Sequence, residues 1–267
     1  MAQSAHDHIR NAVREEYGKV AESGISGCGC SATSCCTPSA PDVKNTSIGL
    51  GYSKTDVDEV PDGANLGLGC GNPQAIASLQ PGETVLDLGS GGGFDCFLAA
   101  KEVGESGQVI GVDMTPEMVT RARKNADSAG YSNVSFRLGE IEYLPVADAT
   151  VDVIISNCVI NLSPEKAKVF TEMFRVLKPG GRLAVSDVVA TAELPETLKK
   201  DMAMLTGCIS GASSMTDIQH MLTEAGFSAI EIQPKDESRE FIQTWVPGSG
   251  IEDYVVSATI EAIRPKG

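Results

Sequence analysis

Short apolar segments alternate with longer amphipathic segments over most of the chain, which is the pattern of an α/β protein. Each apolar segment is bounded by turn or acidic residues and is predicted to be a buried strand of a mostly parallel sheet. The amphipathic segments between them are predicted to be helices. The predicted strands span residues 85–88, 109–113, 133–138, 151–158, 182–189, 229–232 and 255–262. The last two are expected to pair antiparallel and to complete a seven-stranded sheet at its edge.

The first predicted strand runs into a glycine-rich turn, Gly89-Ser90-Gly91-Gly92-Gly93. Glycine lets the backbone turn sharply and approach a ligand closely before the next helix begins. Phe94 occupies the place at which a dinucleotide-binding turn carries its third glycine, so a bound pyrophosphate is not expected. The next strand ends at Asp113, where a carboxylate binds ribose hydroxyls in nucleotide-binding folds. Asp113 could instead, or in addition, cap the helix that begins near Pro116.

This order of strand, glycine turn, helix, strand and acid resembles the class I S-adenosylmethionine (SAM) methyltransferases. The resemblance implies a Rossmann-like, doubly wound fold with SAM as the cofactor. The segment after the third strand matches the part of these enzymes that lies beside the adenine, although its residues could also be ordinary loop residues. The residues expected to bind the cofactor are Asp87, Gly89, Ser90, Gly91, Gly93, Asp113, Met114, Glu140, Ile141, Glu142 and Asn157.

The predicted fold divides the chain into four parts. Residues 1–72 form an N-terminal helix and a cysteine-rich arm, and residues 73–190 form the SAM-binding core. Residues 191–225 form a helical insertion after the fifth strand, where insertions commonly cover the substrate cleft. Residues 226–267 carry the last two strands.

The N-terminal part contains one predicted helix. Residues 5–23 are polar and amphipathic, which predicts a helix that docks on the core. Its apolar face carries Ile9, Val13, Tyr17 and Val20. The arm that follows has no large apolar side chains and is expected to be mobile, and residues 39–72 are expected to remain irregular.

The overall charge limits the classes of partner. The chain has 21 basic and 36 acidic residues, a net charge of -15. This balance argues against binding to nucleic acid or to an anionic membrane surface. The sequence shows neither an apolar run long enough for a transmembrane helix nor the pattern of a signal peptide. A cytoplasmic location is therefore expected.

Eight cysteines are unusual for a chain that is expected to lie in a reducing compartment, and they favour metal, metalloid or redox chemistry. They lack the paired spacing of a zinc ribbon. Cys70 lies between two glycines, Cys158 ends a strand, and Cys208 lies in the insertion, where it could hang over Cys158 or be an ordinary buried thiol. The remaining cysteines are Cys96 and, on an arm that could also be a plain linker, Cys28, Cys30, Cys35 and Cys36.

The positions of the histidines limit the kind of methyl acceptor that the protein can use. His6, His8 and His220 offer no partner near the expected cleft, so a histidine general base is not expected there. A hydroxyl acceptor must lose a proton during transfer, whereas a soft nucleophile with a lone pair needs no base. Thiolates are soft ligands. Trivalent arsenic fits both observations, because three thiolates can hold it with its lone pair pointing at the methyl carbon.

Five segments carry a second resemblance: Tyr17-Gly18-Lys19-Val20, Leu68-Gly69-Cys70-Gly71-Asn72-Pro73, Asp87 to Cys96, Ser156-Asn157-Cys158-Val159-Ile160-Asn161-Leu162-Ser163 and Gly207-Cys208-Ile209-Ser210-Gly211. They resemble the arsenite methyltransferases, and the resemblance spans nearly the whole chain. It implies that Cys70, Cys158 and Cys208 bind As(III), that SAM donates the methyl group, and that an arm cysteine supplies a redox thiol. It also implies arsenite or its thiol conjugate as substrate and a thiol reductant such as thioredoxin. The arm carries four cysteines, any of which could take this role, and the adjacent Cys35 and Cys36 are predicted to do so.

Two other functions remain open from the sequence. One is a SAM-dependent C-methyltransferase of a quinone-like substrate, which predicts an apolar cleft without a thiol cluster. The other is a non-enzymatic metalloid- or zinc-binding protein, which predicts no affinity for SAM.

Overall fold

The structure, a computed structural model, describes residues 2–23, 43–196 and 208–267. The cysteine arm, with Cys28, Cys30, Cys35 and Cys36, lies outside these residues, as does the middle of the predicted insertion.

The predicted sheet is confirmed. Its order is β3-β2-β1-β4-β5-β8-β7, and a two-residue strand, β6, that was not predicted pairs with β5. Strands β1 to β5 are parallel, whereas β8 runs antiparallel to both β5 and β7. The strands are β1 (Thr84–Leu88), β2 (Gln108–Asp113), β3 (Val134–Leu138), β4 (Val151–Asn157), β5 (Leu177–Ala190), β6 (Ser213–Ser214), β7 (Ser228–Lys235) and β8 (Val255–Ile263).

The order of the strands fixes where a ligand can bind. Strand β1 has β2 on one side and β4 on the other, so the chain changes direction across the sheet at this point. In open α/β sheets the crevice beyond the carboxyl ends of such strands is the ligand site. Asp87, Asp113 and Asn157 all lie near these ends.

The helices include the predicted docking helix. The described helices are α1 (Ala2–Ser23), α2 (Val43–Gly49), α3 (Lys54–Glu59), α4 (Gln74–Ala77), α5 (Phe94–Val103), α6 (Pro116–Ala129), α7 (Lys166–Val176), α8 (Met215–Ala225) and α9 (Arg239–Ile242). Three single-turn 3₁₀ helices span Ile160–Leu162, Asp236–Ser238 and Ile251–Asp253.

The expectation that residues 39–72 would be irregular was wrong in part, because α2 and α3 form there. Both are too short to show a helical period in the sequence. Helix α3 is stabilised at its start by a capping box between Ser53 and Asp56. Tyr52, just before it, is buried and packs edge-on against Phe94 with 4.8 Å between ring centroids. Local capping and tertiary packing therefore form these helices.

Buried apolar side chains form separate clusters around the sheet. One contains Phe170, Met173 and Leu222, from helices α7 and α8. A second contains Phe97 and Ala122, from helices α5 and α6. A third cluster lies near the carboxyl ends of the strands, and it contains Val13, Cys70, Cys158, Leu162, Val188, Leu194, Cys208, Ile209, Ile242, Ile251 and Val255. Helix α1 thus contributes Val13 to the cluster that carries three of the thiols.

Candidate active site

A cavity of about 720 Å³ lies beyond the carboxyl ends of β1, β2 and β4. This volume is in the range of sites that enclose a small organic ligand. The glycine turn forms one part of its wall and helix α1 another. Cys158 and Cys208 line it as well, so the crevice expected to bind the cofactor opens onto thiols.

The glycine turn leaves room for a ligand. Gly89 and Gly91 have φ angles of +70° and +50°, which favour glycine, and the N–H of Gly89 donates to the carbonyl of Val112 at 2.8 Å. A Cβ at Gly91 would meet no atom within 4 Å. The turn is therefore tied to β2 on one side and open on the other.

Ser90, in the same turn, has an orphaned hydroxyl. The residue is 7% exposed, lines the cavity, and its Oγ has no hydrogen-bond partner in the described protein. A buried hydroxyl without a partner destabilises a protein, so a polar ligand at this position would satisfy it. Together with the open face at Gly91, this fits a nucleoside cofactor.

Asp113 holds the turn and the start of α6 at once. One carboxylate oxygen accepts from the N–H of Gly91 at 2.9 Å, and the other accepts from the N–H of Thr115 at 2.8 Å. Burial raises the pKa of Asp113, and these backbone bonds oppose the shift. Each oxygen keeps a second lone pair, so both proposed roles, ribose binding and support of the helix start, are geometrically compatible.

The three residues expected beside the adenine separate in the structure. Ile141 and Glu142 line the cavity, whereas Glu140 points to helix α1 and pairs with Arg14. Glu142 is 3% exposed and accepts from Ser163 Oγ at 2.6 Å and from Arg10 at 3.2 Å. The adenine role of these residues stays a prediction.

Of the remaining cofactor candidates, Met114 and Asp87 line the cavity, whereas Gly93 packs against the core. A Cβ at Gly93, which has a φ of +95°, would come within 2.7 Å of the Phe97 ring. Asp87 lines the cavity and accepts from Cys96 Sγ at 3.2 Å. Cys96 is therefore buried beneath the turn, away from the other described thiols.

Asp95 is a cavity residue that the sequence analysis missed. It follows the glycine turn, is 8% exposed, and accepts from the Tyr52 hydroxyl at 2.8 Å. Burial raises the pKa of Asp95 to about 6 and that of Asp87 well above its ordinary value. The sequence signal was an acid directly after the glycine turn, but its partner Tyr52 could not be inferred from spacing.

Asn157 connects the cavity to Cys70. Its Oδ1 accepts from the N–H of Cys70 at 3.0 Å, and its Nδ2 donates to the carbonyl of Gly71 at 2.9 Å. A Cβ at Gly69 would lie 2.8 Å from the Asn157 amide, so glycine is needed there. The loop carrying Cys70 is thereby fastened to the end of β4, next to Cys158.

Cys70, Cys158 and Cys208 lie together and are all buried, with exposures of 1%, 8% and 3%. The Cys208 thiol donates to the Cys158 carbonyl at 2.8 Å. Cys158 and Cys208 have φ angles of +59° and +64°, a conformation that costs side-chain-bearing residues energy and recurs at functional sites. The structure thus brings together the three thiols predicted to bind As(III), and their ligand role stays a prediction.

Two of these thiols, Cys70 and Cys158, hold their protons more tightly than a free thiol does. Burial raises the pKa of Cys70 to about 11. The pKa of Cys158 is raised well above its ordinary value: the hydrogen bond with Cys208 opposes the shift, and the contact with Cys70 together with burial outweighs it. A ligand must therefore displace the thiol protons.

Asp187 is a buried carboxylate beside the thiols. One of its oxygens and the sulfurs of Cys70 and Cys158 all lie within 4.8 Å of one another. It accepts from the N–H groups of Ile160 at 2.9 Å and Val188 at 2.8 Å, and burial raises its pKa to about 6. Asp187 was not among the site residues predicted from the sequence, although a lone acid within the apolar run of β5 is a visible signal.

An aromatic wall that the sequence analysis did not identify covers the thiols. Phe241 and Trp245 line the cavity, pack against the thiol-containing cluster and contact each other edge-on at 5.3 Å. They lie between β7 and β8, in and just after α9. The two rings, both half-buried, thus give the cavity an apolar wall.

None of the helices in the described parts of the chain has the length and hydropathy needed to cross a bilayer. Of the histidines, His6 lies 3.6 Å from Glu165, and His8 and His220 are exposed.

Known proteins resemble the chain in both sequence and structure. Residues 79–226 match the family model of a methyltransferase domain. An arsenite methyltransferase of Halobacterium salinarum is 55% identical over 265 residues, which cover 97% of this chain and 67% of that protein. An arsenite methyltransferase of Aquipseudomonas alcaligenes is 46% identical over 176 residues, 62% of this chain and 50% of that protein. The chain thus spans about half to two thirds of the length of these relatives.

Among solved structures, the chain is similar to the X-ray structure of an arsenic(III) S-adenosylmethionine methyltransferase from Chlamydomonas reinhardtii. The TM-score is 0.61 at 33% identity, covering 85% of this chain and 75% of that one.

Proposed function

The chain belongs to the arsenite methyltransferases, which are class I SAM-dependent methyltransferases, and on that premise we propose that it methylates trivalent arsenic held by Cys70, Cys158 and Cys208. The observation that carries this proposal is that the cofactor cleft opens onto Cys158 and Cys208, with the buried Cys70 in the same cluster. SAM supplies a methyl group on a positively charged sulfur.

When arsenite binds, the thiols can lose their protons without a separate base. Arsenite presents three hydroxyls, and each thiol that binds replaces one of them. The displaced hydroxide takes up the thiol proton and leaves as water. This exchange suits thiols whose pKa is raised, because they carry their own protons into the reaction. A thiol conjugate of arsenite would exchange in the same way and release the conjugated thiol.

The protein then has to orient arsenic for in-line attack. Three thiolates leave the arsenic lone pair as the nucleophile, and Asn157 fixes Cys70 relative to β4. The lone pair forms the new arsenic–carbon bond while the sulfur–carbon bond of the donor breaks. Phe241 and Trp245 give the site an apolar wall.

Transfer oxidises arsenic formally from trivalent to pentavalent, so two electrons must return to it. We propose that an arm thiol gives up its proton to solvent and attacks the sulfur of an arsenic-bound cysteine. The sulfur–sulfur bond forms as the arsenic–sulfur bond breaks, and the electron pair of the broken bond stays on arsenic and restores the trivalent state. An arm cysteine, Cys35 or Cys36, would pair with Cys70, because a bond between adjacent cysteines is strained. An external dithiol such as thioredoxin would reopen the disulfide by exchange, which places the cycle in a reducing compartment, the cytoplasm.

A C-methyltransferase of a quinone-like substrate is less well supported, because it predicts a cleft without clustered thiols. A zinc site has one observation in its favour, the buried group of Cys70, Cys158 and Asp187. That reading predicts bound zinc and no SAM affinity.

One experiment separates the three functions. The purified protein is incubated with SAM, a thiol reductant and arsenite, and methylated arsenicals are sought by mass detection. We expect methylated arsenic from the wild type and from Cys96→Ser, which keeps a donor to Asp87. Absence of methylated arsenic together with SAM binding would refute the arsenic function, and stoichiometric zinc without SAM binding would support the zinc reading.

A further inference from the structure

Two buried carboxylates face the cavity without a cation. Asp87 and Asp95 are 3% and 8% exposed, and both line the cavity. Their hydrogen-bond donors are neutral: the Cys96 thiol for Asp87, and the Tyr52 hydroxyl for Asp95. No Lys, Arg or His in the described ranges forms an ion pair with either carboxylate. Buried carboxylates are normally paired with a cation. Without one, burial raises the pKa of both groups, so a cationic ligand at this place would stabilise their charged forms.

A second observation shows that a ligand belongs at this place. Ser90, between Asp87 and Asp95 in the chain, lines the same cavity with a buried hydroxyl that has no partner among the described residues. Gly91 is open toward the cavity. A ligand that satisfies this wall must combine polar groups with positive charge.

The position of Asp95 shows which part of the cofactor it can meet. Asp113, the expected ribose ligand, ends β2 on one side of β1. Asp95 contacts the other side: the Asn157 amide lies 3.5 Å from its carboxylate and also binds the N–H of Cys70. Asp95 thus lies between the glycine turn and the thiols, where the methyl group must be delivered. The methionine portion of SAM carries an ammonium and a sulfonium, and both are cations.

Tyr52 fixes the orientation of the carboxylate. Its hydroxyl donates to one Asp95 oxygen at 2.8 Å and accepts from Asn157 Nδ2 at 3.0 Å. The tyrosine is 4% exposed and its ring packs on Phe94, so it cannot swing away. The second carboxylate oxygen receives a long contact of 3.5 Å from Asn157 Nδ2. The neighbouring Gln74 side chain is also neutral, so no cation satisfies this carboxylate among the described residues.

We propose that Asp95 is a cofactor-binding residue whose carboxylate is the counter-charge of the cationic methionine portion of SAM, oriented for this task by Tyr52. The proposal rests on SAM as the methyl donor in the proposed function, and it adds a ligand and an orienting residue for it.

The test measures binding, not turnover. Asp95→Asn keeps the shape of the side chain and removes its charge. Calorimetric titration without arsenite compares SAM, its demethylated product S-adenosylhomocysteine, and 5′-methylthioadenosine, which lacks the amino-acid portion. We expect SAM affinity to fall at least tenfold and methylthioadenosine affinity to change less than twofold. A parallel fall for S-adenosylhomocysteine identifies the ammonium as the partner, and a fall for SAM alone identifies the sulfonium.

Two controls keep the result interpretable. Asp127→Asn removes the same charge from an exposed position on α6 and should leave all three affinities unchanged. Thermal unfolding without ligand should show that Asp95→Asn melts no lower than the wild type, because an amide is cheaper to bury than an unpaired carboxylate. Tyr52→Phe should weaken SAM binding less than Asp95→Asn does, since it retains the charge.

Unchanged SAM affinity in Asp95→Asn, or an equal loss for methylthioadenosine, would overturn the proposal. Because arsenite is absent from the titration, a wild type that binds SAM yet methylates no arsenic would refute the proposed function and leave the role of Asp95 standing.

Discussion

The side-chain oxygen of Asn157 accepts a hydrogen bond from the backbone N–H of Cys70 at 3.0 Å, although the two residues lie 87 positions apart. Asn157 directly precedes Cys158, so one amide fixes the spacing between two thiols. The same amide donates to the carbonyl of Gly71, which fastens the loop at a second point.

Replacing Asn157 by Ala should therefore weaken As(III) binding. Two hydrogen bonds to the Cys70 loop are lost, which predicts a decrease of about 1–3 kcal/mol, or roughly 5- to 150-fold in affinity. The single tryptophan of the chain, Trp245, lines the cavity, so its fluorescence can follow As(III) titration. Asn11→Ala, on the exposed side of α1, is the matched control. Wild-type affinity in Asn157→Ala would show that the Cys70 loop holds its place without this clamp.

Asp113→Ala should weaken SAM binding by about 1.5–3 kcal/mol, the range for a hydrogen bond to a charged group. The loss includes support for the turn, because Asp113 also accepts from the N–H of Gly91. As(III) binding, followed by Trp245 fluorescence, should survive. Calorimetry that gives wild-type SAM affinity would remove Asp113 from the cofactor site.

The effect of replacing a cysteine by serine should depend on where its thiol lies. Cys158→Ser and Cys208→Ser replace a soft donor by a hard one, so methyl transfer to arsenic should be abolished while SAM still binds. Cys96→Ser should remain active, because Cys96 is buried beneath the glycine turn against Asp87. Product is measured by mass detection and SAM binding by calorimetry. An inactive Cys96→Ser beside an active Cys208→Ser would reverse the assignment of the ligands.

The arm should be needed for repeated turnover only. The Cys35→Ser/Cys36→Ser double variant should complete one methylation and then stop, because it lacks the thiol that closes the disulfide. Peptide mapping of wild-type enzyme quenched after one turnover without reductant should show an arm cysteine linked to Cys70. Normal turnover by the double variant, with no arm disulfide in the wild type, would contradict this role.

Asp187 should make folding stability depend on pH. Its pKa rises from 3.8 to about 6 on folding. The folded chain therefore holds a proton that the unfolded chain has released, and stability from this group is complete below about pH 3.8 and lost as the pH rises through about 6. Measured against Asp187→Asn by urea unfolding, the difference in unfolding free energy should shift by about 2–3 kcal/mol over this window. A difference that is constant with pH would show that Asp187 keeps an ordinary pKa.

The fold could be predicted from the sequence to the extent that each element carries its own period. The buried strands β1 to β5 and helix α6 show clear apolar patterns, so their positions along the chain could be predicted. The order of the strands in the sheet was seen only in the structure. Helices α2, α3 and α9 were missed because they are short and depend on caps and on packing against distant elements.

The site residues that could be predicted from the sequence are likewise those that belong to a local pattern. Cys158 could be placed at the ligand-binding edge because it ends a predicted strand, and Cys208 because insertions after strands cover clefts. The pairings that complete the site join distant segments, such as Tyr52 with Asp95 and Arg10 with Glu142. No local pattern encodes such contacts, since they depend on how α1 and the loop before β1 pack on the sheet.

The most direct test of the central claim is anomalous X-ray diffraction at the arsenic absorption edge, from crystals of the full chain with As(III) and S-adenosylhomocysteine. The account predicts one arsenic peak bound to the sulfurs of Cys70, Cys158 and Cys208, on the thiol side of the cavity, with its open face toward the sulfur of the bound S-adenosylhomocysteine. An arsenic atom held by the arm cysteines alone, or one whose open face points away from that sulfur, would contradict it.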